Sequence, residues 1–183
     1  MCITKLALLV AALGASTISV APSPEKTFDD FDEISSLSDD LRTAIDRMPV
    51  LGYDASSVHA QQDLFAATFK LYQGISEINK ANVDAEAGDF SEDEQKEICR
   101  SLHRTRYTQG SLIMRLGDQA ERISQFPLTP SIGNAIGAYE EEMTKFQDEL
   151  NSRLDNCSDD QNERLEEAIK TAKAQYAATA PKP

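Results

Sequence analysis

From Phe28 onwards apolar residues recur three or four positions apart, and nowhere do apolar and polar residues alternate with period two. At 3.6 residues per turn such spacing puts the apolar positions on one helix face. Phe28, Phe31, Ile34, Leu37, Leu41, Ile45 and Met48 make one stripe, which Pro49 and Gly52 end. A second helix starts near Asp54 or Ser56 and carries Val58, Phe65, Phe69, Tyr72, Ile75 and Ile78. Leu64 and Leu71 widen its apolar arc, which predicts a central position in the fold. A polar, acidic linker follows from Asn82 to Phe90, and Ser91 with Glu94 has the spacing of a capping box. The third helix is expected to run to Ser124 through Ile98, Leu102, Leu112, Ile113, Leu116 and Ile123. Thr129 is placed to cap a fourth, with Pro130 at its first position and Ile132, Ile136, Tyr139, Met143, Phe146, Leu150 and Leu154 as its stripe. A fifth begins at Ser158, with Gln161 as capping partner, and carries Leu165, Ile169, Ala172 and Tyr176. The pattern predicts an all-α, up-and-down bundle of about five amphipathic helices.

The first 21 residues break that pattern. Lys5, an apolar run from Leu6 to Ala15 and a stretch of small residues have the form of a secretory signal peptide, cleaved somewhere between 16 and 21. Residues 22–177 are then one bundle domain and 178–183 a disordered tail. No later segment is long and apolar enough to span a membrane, so the expected product is secreted, extracellular or associated with the cell wall. The chain has 18 basic and 31 acidic residues, a net charge of −13 that loss of Lys5 makes more negative by one. Such acidity argues against nucleic acid or an anionic membrane as partner.

Processing also changes the cysteine count. Cys2 leaves with the leader, and Cys99 and Cys157 remain as an even pair in an oxidising compartment, which predicts a disulfide. Cys99 lies 28 residues before Pro127 and Cys157 lies 30 after it. Two antiparallel helices leaving a turn at Pro127 would bring both cysteines to the same height, clamping the open end of a helical hairpin. The same stretch contains Asn156-Cys157-Ser158, a glycosylation sequon. A cysteine committed to a disulfide at a folded corner makes Asn156 a poor acceptor, so the segment is read as a structural joint.

Catalytic and metal chemistry finds little to hold. His59 and His103 fall on different helices, and neither stands in a metal-ligand motif. The acidic linker around Asp84–Asp89 has its glycine out of place for a calcium loop and Gln95 where a bidentate glutamate belongs. Glu140-Glu141-Glu142 is read as an exposed helix face, and no glycine-rich phosphate loop is present. The expectation is a non-enzymatic protein with no catalytic residue, metal or cofactor.

Two features concern space inside the bundle. Gly74, Gly110, Gly117, Gly133 and Gly137 lie within helices, each costing up to about 1 kcal/mol relative to alanine. Close helix packing or room for a ligand would account for them. The third helix's stripe is also interrupted, with Thr105 and Gln109 pointing inward before Leu112. Buried polar groups need partners. These are side chains such as Tyr72 or Tyr107, a buried water, or a ligand's polar head. With the helix turned slightly, Arg106 would face inward and meet a carboxylate.

Three segments, FDEISSLSDDLRTAIDRM, QDLFAATFKLYQGISEI and AIGAYEEEMTKFQDELNSRL, carry a likeness to a known family. In their spacing the chain resembles the hydrophobic surface-binding protein A family, fungal secreted proteins related to cell-wall galactomannoproteins. The resemblance implies a bundle that binds apolar surfaces or encloses a fatty-acid-like lipid between its helices. A slot of that kind would be lined by Phe65, Phe69, Tyr72, Thr105, Gln109, Leu112, Leu116, Ile136, Tyr139, Met143 and Phe146. The alternative from another class is a secreted interaction protein or effector with a full core, binding a cell-wall or host protein through its acidic surface.

Overall fold

A computed structural model describes residues 23–49, 55–83, 90–124, 128–155, 157 and 160–179. The leader, Asn156, Ser158 and the last four residues lie outside these, as do the linker residues 84–89. The described chain forms five helices: α1 (Pro24–Asp46), α2 (Ala55–Val83), α3 (Glu92–Gly117), α4 (Thr129–Asn151) and α5 (Asp160–Thr179). No strand is present among the described residues.

Local chemistry sets several of the boundaries. Ser23 caps α1 by accepting from the Lys26 N–H at 3.2 Å, with a proline in the first turn. Ser91 and Glu94 form the expected capping box of α3, the Glu94 carboxylate accepting from the Ser91 N–H at 2.8 Å. The cap of α4 differs from expectation. Leu128 occupies the cap position with no side-chain hydrogen bond, and Thr129 is already helical. Its hydroxyl instead donates to the Ile123 carbonyl, tying α4 to the turn before it. Helix α3 stops at Gly117 rather than Ser124, yet Ala120 and Ile123 in the following turn remain buried. Likewise α4 stops at Asn151, and Leu154 is buried from the turn beyond. At the other end of the chain α5 continues to Thr179, two residues into the segment read as tail.

The helices alternate in direction, and side-chain contacts define which pairs meet. Leu37 packs where a Gly74 side chain would be, and Asn82 donates to Asp30, so α1 and α2 are antiparallel. Ser38 meets Gln109 and Asp46 meets Arg115, so α1 and α3 run the same way. Gly110 faces Leu165 and Gly117 faces Ala172, so α3 and α5 are also co-directional. Lys173 pairs with Glu140 and Tyr176 packs at Gly133, which makes α4 and α5 antiparallel. The neighbours therefore close a ring, α1–α2–α4–α5–α3, with α1, α3 and α5 in one layer and α2 and α4 in the other.

This ring corrects two expectations. Helix α2 is not central: Leu64, Leu71, Ile75 and Ile78 are buried, but Phe69 on its flank is 38% exposed. Helices α3 and α4 are not backbone neighbours: α3 packs on α1 and α5, whereas α4 packs on α2 and α5. The acidic linker is also shorter than read. Asn82 belongs to α2 and is buried against the Asp30 carboxylate at 3.2 Å, which also pairs with Lys26. Asp30 is itself only 1% exposed, so these partners offset the cost of a buried charge. One cluster of buried apolar side chains, drawn from all five helices, fills the centre.

Candidate functional site

The third helix has two buried faces, because it is the middle helix of its layer. Ile98, Leu102, Gln109, Leu112 and Leu116 point to the core, while Arg106, Gly110, Ile113 and Gly117 recur at helical spacing towards α5. Arg106, not Thr105, is the fully buried member after Leu102. Arg106 is 1% exposed, whereas Thr105 is half-buried beside α1.

Gln109 is satisfied within the protein. The Tyr139 hydroxyl donates to its Oε1 at 3.1 Å, and its amide Nε2 donates to Ser38 Oγ. Ser38 in turn donates to the Ile34 carbonyl, so a string of hydrogen bonds crosses from α4 through α3 to α1. Neither Tyr72 nor Tyr107 takes part. Tyr72 is half-buried on α2, and Tyr107 is 58% exposed. Burial without a charged partner pushes the Tyr139 phenol well above its ordinary pKa, which keeps it a donor.

Beside this string a groove of about 430 Å³ opens between α3 and α5. Arg106 and Gly110 form its base, Ala168 its opposite wall, and Tyr107 and Met114 its rim. Met114 is 54% exposed, so an apolar lip faces solvent. Arg164 and Glu167 add charge from α5. Burial lowers the Arg106 guanidinium to about 10, against the attraction of Asp148 on α4 and Glu166 on α5. It therefore stays cationic at neutral pH. A buried cation beneath an apolar lip suits an amphiphile with an anionic head.

The residues expected to line a slot separate into three places. Gln109, Leu112, Leu116, Ile136, Tyr139, Met143 and Phe146 are together in the packed core, with Phe146 edge-on to Phe31 at 5.7 Å. Thr105 borders a recess of about 180 Å³ between α1 and α3. Phe65, Phe69 and Tyr72 form an aromatic ladder on the flank of α2, with ring centroids 6.0 and 5.7 Å apart. None of the eleven lines the α3–α5 groove. The signal for the groove lay in Arg106, Gly110 and Gly117, which fall on one helix face but carry little hydrophobicity.

The glycines divide in the same way. A methyl on Gly117 would lie 3.0 Å from Ala172 Cα, and one on Gly133 would lie 3.1 Å from Tyr176 Cβ, so both mark close packing. A methyl on Gly137 would have nothing within 4 Å. The acid run is less exposed than read, since Glu142 accepts from Asn79 Nδ2 at 2.9 Å, which holds its carboxyl below the usual range.

The predicted disulfide joins Cys99 and Cys157, with Cα atoms 5.7 Å apart. Cys157 does not end α4 but follows it, in the corner before α5. The bridge therefore fastens α3 to the start of its neighbour α5. Around it Gln95 donates to the Phe90 carbonyl and accepts from the Asp155 N–H, both at 3.0 Å, and Arg153 lies over the Phe90 ring. His103, one turn on from Cys99, has Nε2 at 3.7 Å from both sulfurs.

No family model matches the chain, and no curated protein does either. Among solved structures, it is similar to ligand binding domain 2 of the Penicillium marneffei MP1 protein in complex with arachidonic acids. The two share 17% identity with a TM-score of 0.59, over 85% of this chain and 95% of that one. At that identity the likeness is one of fold. A fungal ligand-binding domain has the same helical arrangement, while membership of the hydrophobic surface-binding family is left without a matching family model. No described helix is long and apolar enough to cross a membrane.

Proposed function

We propose that the protein is a secreted, non-enzymatic carrier of a fatty-acid-like lipid, held between α3 and α5 with its carboxylate towards Arg106. The observation that carries this reading is Arg106, a cation 1% exposed at the base of a groove whose rim is Tyr107 and Met114 and whose α5 side carries Arg164 and Glu167. The shared fold supports it, because the similar MP1 domain was solved with arachidonic acids. Secretion rests on the apolar leader and on the disulfide. Each methylene withdrawn from water would contribute about 0.8 kcal/mol, so the tail supplies most of the affinity and the guanidinium sets the orientation.

Native mass spectrometry of gently extracted protein tests the reading directly. A fatty-acid adduct is expected, together with displacement of a fluorescent fatty acid from the delipidated protein. Arg106→Met should weaken a fatty acid about tenfold, equivalent to about 1.4 kcal/mol, and a fatty alcohol far less. No adduct and no displacement would sink the proposal.

The aromatic ladder on α2 favours a second reading, in which the protein docks on an apolar surface or a cell-wall or host protein. Phe69 stacks between Phe65 and Tyr72 at the surface without entering the core. Phe69→Ser that abolished adsorption while leaving lipid displacement intact would favour it.

A further inference from the structure

The disulfide corner carries an inference independent of lipid binding. Cys99, His103 and Cys157 offer three ligand atoms within 4.8 Å of one another, and all three residues are half-buried. We infer that, once the disulfide is reduced, these three residues form a Cys2His site for a thiophilic divalent cation such as Zn²⁺.

A tetrahedral zinc with Zn–S near ~2.3 Å and Zn–N near ~2.05 Å sets sulfur and nitrogen about 3.6 Å apart and the two sulfurs about 3.8 Å apart. Both sulfur–Nε2 distances are already 3.7 Å. Only the two sulfurs, now bonded to each other, must move apart. Cys99 and His103 are fixed by the same helix at a spacing of four, which keeps both side chains on one face. Cys157 lies outside any helix, so its movement requires no helix to unwind. Thiolate and imidazole donors select zinc over calcium or magnesium, and three protein ligands leave a fourth position for water.

The chemistry balances with an external reductant. A dithiol supplies two electrons and two protons to the S–S bond and leaves as its own disulfide. A phosphine does the same and leaves as its oxide, with water supplying the oxygen and both protons. Either way two thiols result. Zn²⁺ then displaces two protons to form two Zn–S bonds, while neutral His103 donates its Nε2 lone pair.

Cobalt(II) titration of the phosphine-reduced mature chain, followed by absorbance and far-UV circular dichroism, tests the inference. One equivalent of Co²⁺ should give thiolate-to-cobalt charge transfer and tetrahedral visible bands, with helix retained, and Zn²⁺ should bleach them. The oxidised protein should show neither. His103→Ala should weaken binding by at least about tenfold, whereas His59→Ala, on the exposed face of another helix, should leave it unchanged. Absence of a saturable band would overturn the inference. So would binding by His103→Ala as tight as the parent's, whether the reduced chain stays helical or unfolds, because the thiolates alone would then account for it.

Discussion

Gly110 and Gly117 sit seven residues apart on the same face of α3, and α5 treats them differently. At Gly117 the helices touch: a methyl there would come within 3.0 Å of the Ala172 backbone. At Gly110 the same methyl would lie 3.7 Å from Leu165 Cα, an ordinary contact, and the groove opens beside it. Glycine therefore serves closure at one position and room at the other. The seam widens towards Arg106, whose large cationic side chain could not fit between helices as close as they are at Gly117. Beyond it the disulfide gathers α3 and the start of α5 together again. The groove is a gap held between a covalent clamp and a glycine–alanine contact, and breaking either end tests that description.

The clamp should matter most. Its loop spans 58 residues, for which chain entropy gives about 4 kcal/mol of stabilisation. Cys99→Ser paired with Cys157→Ser should therefore lower the midpoint of thermal unfolding by roughly 10 °C, measured by circular dichroism without reductant. A midpoint within a degree or two of the parent's would show that the clamp does not hold the seam.

How much of this was legible beforehand differs along the chain. The core faces of α1 and α4 were legible because Ile34, Leu41, Ile136 and Phe146 announce them by size and spacing. The cysteine pairing was legible because Cys99 and Cys157 are the only pair left outside the leader, but the helix that the bridge fastens to α3 was not. Height along a bundle follows from residue counting, whereas which helix stands beside α3 depends on long-range packing. The α5-facing stripe of α3 was hard to see in a reading that counts apolar side chains, since of Arg106, Gly110, Ile113 and Gly117 only Ile113 supplies one. Asn82 looked like linker because its partner, Asp30, is 52 residues away. The spacing of four between Cys99 and His103 makes no metal-ligand motif by itself, and the place of His103 beside Cys157 required the fold.

The glycine contact comes next in size. Gly117→Ala gains helix propensity of up to about 1 kcal/mol but sets its methyl against backbone that cannot rotate away. Overpacking of this kind costs about 1–3 kcal/mol, so the net effect should be a loss of roughly 1 kcal/mol in urea unfolding. An increase in stability would mean that α5 yields easily and that the contact does not close the seam.

The same substitution at Gly110 should change sign. Its methyl meets only ordinary contacts, so the helix propensity is retained and Gly110→Ala should stabilise the protein by about 0.5–1 kcal/mol. The methyl enters the groove where the lipid tail is proposed to lie, so fatty-acid displacement should weaken slightly while unfolding shifts to higher urea. Opposite responses in stability and binding from one methyl distinguish a groove that holds a ligand from one that is merely a packing gap. If Gly110→Ala destabilised the chain as Gly117→Ala is expected to, the two positions would be equivalent, and the seam would be closed along its whole length.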